Sequence, residues 1–269
     1  MIGEPGVVAC EELIAATPDA ACRTVIVGYN WTLVDWEFGT GLASTPGKGV
    51  NGARTTESTG SYASQSLGAL AQLSRSANPY ERTIGCAAIS AGLNRYNLRG
   101  LAGNGLEVPA GDPGRVVVIG RFPGLANRLP DAIVLERTPG PGDLPAEAAS
   151  EVVPGCSHLL ITASAWVNAS LPGLLALATD ARVSLIGPGT PLAPSILARY
   201  GIHRLGGFVA TDPDGLRRSV AEGAGVRQFR HQGRPVLLDC PDSYSAATCA
   251  DASSSRQSSD SGSMAAKSR

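Results

Sequence analysis

The chain has 269 residues, of which 43% are hydrophobic and 17% charged, and its formal net charge is −1 at pH 7. These values are typical of a globular protein, and the balanced charge excludes a basic face for nucleic acid or for an anionic membrane. The first residues, MIGEPGVVACEELIAA, carry acids where a secretory signal needs basic residues, and no stretch of about 18 uncharged apolar residues follows. We therefore expect a cytoplasmic protein with no membrane span, in which the six scattered cysteines stay reduced.

The first hundred residues predict a small α+β domain. Residues 24–36 (TVIVGYNWTLVDW) and 38–45 (FGTGLAST) have the composition of two strands that join near Glu37. Two helical segments follow a turn-rich stretch, at residues 61–74 and 79–94. Strands followed by helices, rather than alternating with them, are the pattern of a separate α+β unit.

The second half of the chain predicts a Rossmann-like α/β domain. Short apolar runs, typical of strands covered on both faces, lie at residues 115–120, 132–136, 158–162, 182–187 and 207–211. Helix-compatible segments lie between them at 143–153, 168–179 and 191–200, and Asp212 can cap a last helix that ends near Gly223. Strict alternation of strand and helix indicates a doubly wound parallel sheet with right-handed crossovers.

The composition of the connecting segments sets the predicted domain boundaries. Residues 97–114 are rich in Gly, Asn and Pro, as expected of a linker, and the chain from 242 onward is rich in Ser and Ala with few large apolar residues. We therefore expect a small domain at 1–98, a linker at 99–114, a Rossmann-like domain at 115–240 and a disordered tail at 241–269.

Open parallel sheets bind ligands at the carboxyl ends of their strands, so the residues that follow each strand are the candidate site. The first strand is followed by Gly120 and Arg121, the second ends at Glu136, and the third ends at Thr162, with Asn168 just beyond. The fourth ends in Gly187-Pro188-Gly189-Thr190-Pro191. This last turn has two interpretations: a ligand site at the start of a helix whose free N–H groups attract anions, or a tight corner that caps its own helix.

The strand ends also bear on the cofactor and the chemistry. The first turn reads GRFPG rather than G-x-G-x-x-G, and Arg121 and Phe122 occupy the space of a dinucleotide pyrophosphate, so NAD and FAD are not expected. Glu136 either holds a hydroxyl of an adenosine-type ligand or forms a salt bridge at the rim. The sequence contains no G-x-S-x-G nucleophile motif, no H-x-x-x-H and no C-x-x-C.

An ordered series of motifs resembles a known family. ERTPGPGDLPAEAASEVVPGCSHLLITASAWVNASLPGLL and SLIGPGTPLAPSILARYGIHRLGGFVATDPDGL, preceded by VGYNWTLV, GLAST, IGCAAISAGLN and VVVIGRFP, are similar to the "putative heavy-metal chelation" family over residues 8–225. The resemblance implies a first domain like the small lid domain of enolases, a Rossmann-like second domain, and a ligand in the cleft between them. Ser90 departs from the family pattern, which has Asn there, whereas Asn94 is kept.

Two functions follow, and the residues do not decide between them. The first is binding of a metal or a small polar ligand in the cleft, and the only acid expected there, Glu136, favours oxygen ligands or a chelator carried by the ligand over a thiolate cage. The second is an enzyme of specialised metabolism that acts on a small polar metabolite with Glu136 as acid/base. The cofactor stays open, as does a homo-oligomer. The expected cleft residues are Tyr29, Trp31, Thr45, Gly120, Arg121, Glu136, Thr162, Asn168, Gly187, Gly189 and Thr190.

Overall fold

A computed structural model describes residues 5–47, 50–51, 60–108 and 114–241 of the chain, and most of the serine-rich tail expected at 241–269 lies outside them. The strands are β1 (Cys22–Val27), β2 (Trp31–Trp36), β3 (Gly39–Ser44), β4 (Val116–Ile119), β5 (Ile133–Glu136), β6 (Leu144–Pro145), β7 (His158–Thr162), β8 (Arg182–Ile186), β9 (Ile202–Ala210) and β10 (Gly233–Asp239). The helices are α1 (Pro5–Ala15), α2 (Leu67–Gln72), α3 (Pro79–Leu93), α4 (Leu125–Arg128), α5 (Ala149–Val152), α6 (Ser164–Val167), α7 (Leu171–Leu177), α8 (Pro194–Leu197), α9 (Pro213–Ala221) and α10 (Val226–Phe229). Short 3₁₀ helices lie at Tyr62–Ser64, Leu73–Arg75, Ala146–Ala148, Ala198–Tyr200 and Arg230–Gln232.

The small sheet is an antiparallel meander in the order β1-β2-β3. The prediction of one strand over residues 24–36 is wrong, because the chain reverses in the middle of that run. Val27 pairs with Thr32, and the Gly28 N–H donates to the Trp31 carbonyl at 3.0 Å. The turn signal was the Gly-Tyr-Asn triplet, which stands between two apolar stretches that each make a short strand.

Helix α3 covers this sheet, and its start follows from local capping. The Asn78 side chain accepts a hydrogen bond from the Tyr80 N–H, and Pro79 occupies the first turn, so the predicted helix at 79–94 is confirmed. Strand β3 lies so close to α3 that a Cβ at Gly41 would stand 2.0 Å from the Ala87 carbonyl oxygen. The small residues of β3 and α3 therefore allow backbone-to-backbone packing of strand on helix.

The large sheet has the order β6-β5-β4-β7-β8-β9-β10, in which every pair is parallel except β9 with β10. The chain runs outward from β4 to β6, returns to the centre at β7 and then runs the other way to β9. This reversal is the doubly wound order of a Rossmann-like domain, and the α/β fold class is confirmed. The sheet is mixed because β10 runs antiparallel to β9, and this strand was not predicted from the sequence.

The helices of this domain are shorter than expected. The segment 143–153 begins with β6 and becomes α-helical only at Ala149, and 168–179 is interrupted at Ala169, whose φ is 63°, so α7 starts at Leu171. The predicted helix at 191–200 starts three residues late, at Pro194. The expected cap at Asp212 is present, since its side chain accepts from the Gly215 N–H at 2.9 Å.

The two sheets share one hydrophobic core. Its largest buried cluster joins side chains of the small domain to side chains of β7, β8 and β9; Leu13, Trp36 and Ile89 belong to it, as do Leu159, Leu185 and Val209. A second cluster packs β2 and β3 against α9 and α10; its members include Leu33, Leu42, Leu216 and Phe229. The two halves therefore bury apolar surface against each other as well as within themselves.

A buried carboxylate also joins the halves. Asp35 of β2 is 1% exposed, and its oxygens accept hydrogen bonds from Thr40 at 2.7 Å, Tyr96 at 2.9 Å and the Arg217 guanidinium of α9 at 2.6 Å. Arg217 also pairs with Asp214 on its own helix. The charge of Asp35 is thus compensated by a residue of the other domain.

The structure adds two findings on surroundings and thiols. No helix within the ranges given above is long and apolar enough to cross a membrane. The five cysteines in those ranges, Cys10, Cys22, Cys86, Cys156 and Cys240, are free of disulfides.

Candidate functional site

The site lies where β4 and β7 run side by side and the strand order reverses. The carboxyl end of β4 continues into Gly120, whose φ is +92° and whose N–H donates to the Leu135 carbonyl at 2.9 Å. A Cβ at Gly120 would stand 2.5 Å from the Thr162 Cγ2 at the end of β7. Glycine is therefore required here for the conformation and for the close approach of the two strand ends.

Glu136, at the end of β5, is tied to the backbone of its neighbours. One carboxylate oxygen accepts the Arg121 N–H at 2.7 Å, and the other accepts the Arg137 N–H at 3.1 Å. The residue is half-buried and lines a pocket. In this arrangement its side chain joins the ends of β4 and β5, rather than forming the rim salt bridge weighed from the sequence.

Arg121 is held away from the strand ends by its own partner. Its guanidinium pairs with Asp143, which also accepts the Gly140 N–H at 3.0 Å. The hydrogen bond from Gly140, together with the Arg121 guanidinium, lowers the pKa of the Asp143 carboxyl. The charge of Arg121 is thus largely satisfied within the protein.

A pocket of about 420 Å³ opens at this reversal of strand order, and we call it the switch-point pocket. Its lining includes Gly120, Arg121, Glu136, Thr162, Ser164 and Asn168. Ser164 Oγ donates to Thr162 Oγ1 at 3.3 Å, and Asn168 Oδ1 accepts the Ser170 N–H at 3.0 Å. The structure thus brings together five of the residues expected from the strand ends: Gly120, Arg121, Glu136, Thr162 and Asn168.

A second pocket, of about 320 Å³, lies between the two domains, and we call it the interdomain pocket. The small domain contributes Thr45 after β3, and Arg82 and Thr83 from α3. The other domain contributes Arg137, Ser164 and Asn168, which also line the switch-point pocket. The two pockets are therefore adjacent parts of one cleft, with α6 and the residue after β5 forming their common wall.

The turn at Gly187–Thr190 contacts the small domain instead of either pocket. The Ser90 hydroxyl donates to the Gly189 carbonyl at 3.2 Å, so the departure from the family pattern at Ser90 keeps a polar contact. Asn94 donates to the Thr190 carbonyl at 2.9 Å and accepts the Leu192 N–H at 2.8 Å. Since α8 starts only at Pro194 and has four residues, the turn presents no helix terminus to an anion.

This turn contains a buried polar atom without a partner. Thr190 is fully buried, and its Oγ1 makes no hydrogen bond within the described part of the chain. A Cβ at Gly189 would stand 2.9 Å from the Leu42 carbonyl oxygen of β3, which explains the glycine. Gly187, Gly189 and Thr190 line neither pocket, and a ligand-binding role for them stays a prediction.

The expected aromatic residues of the small domain lie at its hairpin. Tyr29 is 82% exposed at the tip, next to Asn30, whose amide donates to the Gly223 carbonyl at 2.7 Å. Trp31 packs edge-on against Phe229 with ring centroids 5.7 Å apart. Both residues are absent from the linings of the two pockets, whereas Thr45 lies in the interdomain pocket, where its hydroxyl is 3.0 Å from that of Thr32.

The donor set of the cleft does not fit a heavy metal held by protein side chains alone. In the described ranges, no three His, Cys, Asp or Glu side chains come together as a metal site. Among the described residues that line the two pockets, Glu136 is the only acid, and its two oxygens already accept backbone N–H groups. Soft heavy metals prefer thiolates and imidazoles, and the lining residues that the structure describes include no Cys or His.

Sequence reasoning did not assign several polar residues to the cleft, among them Arg82, Thr83, Arg137 and Ser164. Arg137 directly follows one predicted strand end and Ser164 lies two residues after another, so the rule that located Glu136 and Thr162 could have included them. Arg82 has no such signal, since it lies in the second turn of α3 and reaches the cleft only because α3 packs at the domain boundary.

The fold and the cleft define a class of two-domain protein, in which a small α+β domain packs beside the carboxyl-end edge of a Rossmann-like sheet. The chain belongs to the family described as "Putative heavy-metal chelation", since two family models of that description match residues 104–239 and 10–93. The resemblance inferred from the sequence motifs is thereby confirmed.

Solved structures share this architecture. A protein with unknown function from the DUF364 family of Desulfitobacterium hafniense has a TM-score of 0.76 and 28% sequence identity, over 89% of this chain and 100% of that chain. A DUF364 protein with unknown function from Pyrococcus horikoshii has a TM-score of 0.75 over 87% of this chain and 99% of that chain, and its 19% identity supports the fold alone. Comparison with curated proteins gives no match.

Proposed function

We propose that this protein binds a small polar ligand, or a metal ion chelated by such a ligand, in the cleft formed by the switch-point and interdomain pockets. The observation that carries the proposal is that the two pockets share Arg137, Ser164 and Asn168 at the point where the strand order reverses. Open α/β sheets bind ligands at this place. Pockets of roughly 300–1,000 Å³ are of the size that small molecules occupy.

In this proposal, the metal of the family description is coordinated by the ligand and not by protein side chains. The cleft offers guanidinium, amide and hydroxyl groups, which bind the oxygen atoms of an organic molecule better than they bind a soft cation. The donor atoms of a chelating molecule would bind the metal, and the polar atoms on the outside of that molecule would bind the side chains of the cleft.

Native mass spectrometry of the purified protein, compared with its mass after denaturation, tests the proposal. We expect an adduct in the native spectrum that is absent from Ser164→Phe, because a phenyl group at a residue lining both pockets fills the cleft. Ser164→Ala is the matched control and should keep the adduct. An adduct retained in Ser164→Phe would place the ligand elsewhere and contradict the proposal.

Glu136 contributes to this site through the strand ends. Glu136→Gln replaces one acceptor oxygen by an N–H₂ group, so either the Arg121 N–H or the Arg137 N–H loses its partner. Weaker ligand binding by calorimetry is the expected result, and unchanged affinity would remove Glu136 from the site. The enzymatic alternative, with Glu136 as acid/base, stays a hypothesis that turnover of a metabolite, lost in this variant, would support.

A further inference from the structure

We propose that the ligand carries an oxyanion, a carboxylate or a phosphate, which is bound between Arg82 of the small domain and Arg137 of the Rossmann-like domain. This inference rests on the proposed function and names the chemical class of its ligand. Both arginines line the interdomain pocket. They come from different domains, so a single anionic group between them contacts both halves of the protein.

The interdomain pocket is positively charged over the residues that the structure describes. Its described lining contains two arginines and no Asp or Glu. Glu136 lies in the switch-point pocket, where its oxygens accept the backbone N–H groups of Arg121 and Arg137. Positive charge in a concave site attracts anions more strongly than the same charge on a flat surface.

The guanidinium groups of Arg82 and Arg137 have no carboxylate partner among the described residues. Within the described ranges, several other arginines pair with an acid; they include Arg75 with Glu11, Arg121 with Asp143, Arg199 with Glu12 and Arg217 with Asp35. The Arg137 guanidinium makes no ion pair or hydrogen bond to any described residue. A partner for it must come from solvent or from a ligand.

The Arg82 guanidinium is fixed to the protein through one of its three nitrogens. Its Nε donates to the Ser76 carbonyl at 2.9 Å, and the residue is half-buried. This bond leaves the two terminal nitrogens of Arg82 without a partner in the described chain. A guanidinium fixed through one nitrogen loses less conformational freedom on binding, and its planar fork matches two oxygens of a carboxylate or phosphate.

Asn168 adds a neutral donor to the same pocket. Its Oδ1 accepts the Ser170 N–H at 3.0 Å, which fixes the orientation of the amide. The Nδ2 group therefore carries the free hydrogens, and it makes no hydrogen bond to another described residue. An amide that presents N–H₂ rather than oxygen to the pocket favours an acceptor, as the two arginines do.

Isothermal titration calorimetry with inorganic phosphate and with citrate, each at low ionic strength, tests the inference. We expect both probes to bind the native protein, and Arg82→Gln or Arg137→Gln to weaken binding about tenfold or more, the usual effect of losing a hydrogen bond to a charged group. Arg227→Gln removes an exposed arginine that lines neither pocket and should change affinity less than twofold. Binding of one probe alone would assign the anion to that class.

The outcomes separate this inference from the proposed function. If the native adduct disappears in Ser164→Phe but persists in both arginine variants, the cleft binds a ligand and the oxyanion assignment is wrong. If phosphate and citrate bind equally well to Arg82→Gln, Arg137→Gln and the native protein, the arginines do not form the site. If neither phosphate nor citrate binds at about 10 mM, a concentration far above the Kd of a specific site, the inference is also overturned.

The Arg82→Lys variant distinguishes a bidentate contact between the guanidinium and the anion from attraction by positive charge alone. Lysine keeps the positive charge but loses the planar fork and the Nε that bonds to Ser76. We expect affinity between those of the native protein and Arg82→Gln. Full recovery of affinity in the lysine variant would contradict the fork contact, and the folded state of each variant is checked by its unchanged circular dichroism spectrum.

Discussion

Asp35 shows at the residue scale how the two domains depend on each other. A carboxylate that is 1% exposed has lost its hydration, and this cost is offset by two hydroxyl donors and one guanidinium. The guanidinium belongs to Arg217, whose side chain is 28% exposed and has a second partner in Asp214. Removing the buried acid therefore affects the protein more than removing the exposed one.

We expect Asp35→Asn to lower the free energy of unfolding by about 2–3 kcal/mol, somewhat less than the loss of one partner of a fully buried pair. The amide cannot neutralise Arg217, and one of its two groups faces a donor. Urea denaturation measures the change. Asp214→Asn, at a side chain that is 70% exposed, is the matched control and should cost about 0.5 kcal/mol or less; equal effects of the two variants would contradict this account.

Tyr96 makes the same cluster sensitive to alkaline pH. Burial, together with the hydrogen bond to Asp35, raises the pKa of Tyr96 to about 12 from a usual value of 10.0. Because the folded pKa is the higher one, the stabilisation is fully present below pH 10 and is lost as the pH rises from about 10 towards 12. We expect Tyr96→Phe to show a shallower loss of stability over this range in urea titrations, and identical slopes would refute it.

At the scale of elements, α3 positions both sides of the domain boundary. Asn94, at its carboxyl-terminal end, bonds to the backbone of the turn after β8, and Arg82, about three turns of helix earlier, reaches the interdomain pocket. Its small residues also allow β3 to approach within backbone distance, as the contact at Gly41 shows. One helix thus fixes the small sheet, the turn at Gly187–Thr190 and one wall of the cleft.

We expect Asn94→Ala to destabilise the protein by about 2 kcal/mol or more, because a buried carbonyl at Thr190 and a buried N–H at Leu192 lose their partners together. Ser90→Ala, which removes one longer bond to the Gly189 carbonyl, should cost about 1 kcal/mol or less. Thermal unfolding of the two variants measures the difference. A larger loss in Ser90→Ala than in Asn94→Ala would show that the amide is not the main clamp.

The sequence predicted elements where local signals are strong. The buried strands β4, β5, β7 and β8 have continuous apolar runs, and α3 has its cap at Asn78 and its proline at position 79. The hairpin at Gly28 was missed because two short strands in succession have the same composition as one long strand. The helix at 191–200 was placed too early because Pro191 is compatible with a helix start, while the following residues instead contact α3 through Asn94.

The candidate site was predictable to the extent that strand ends determine it. Gly120, Glu136 and Thr162 follow from the rule that parallel sheets bind ligands at their carboxyl edge. The pairing of Arg121 with Asp143 and the position of Arg82 follow from tertiary packing, for which the sequence has no local pattern. Tyr29 and Trp31 were expected in the cleft but line neither pocket. Tyr29 is exposed at the tip of the hairpin, and Trp31 packs against Phe229 of α10.

At the scale of the whole molecule, the two sheets share one hydrophobic core. The largest buried cluster contains Trp36 and Ile89 of the small domain together with Leu159 and Val209 of the other. Helix α1, at the start of the chain, pairs Glu12 with Arg199 on the far domain. Neither domain therefore buries its apolar surface completely without the other.

We expect urea to unfold the protein in one cooperative transition, because neither domain is complete once the shared core opens. Far-ultraviolet circular dichroism, which reports helices of both domains, should coincide with tryptophan fluorescence. The double variant Trp31→Phe/Trp36→Phe, which leaves only Trp166 to report on the Rossmann-like domain, is a further check on the agreement of probes. Two separated transitions would show that the domains are stable on their own.

The salt bridge between Asp35 and Arg217 joins positions 182 residues apart in the chain. A ribosome adding about 5–20 residues per second takes roughly 10–40 s to cover that distance. During this interval the nascent small domain carries an uncompensated acid and an apolar face that α9 has yet to cover. We therefore expect its native fold to be reached only after synthesis has passed α9, and chaperones that shield apolar surface to hold the growing chain until then.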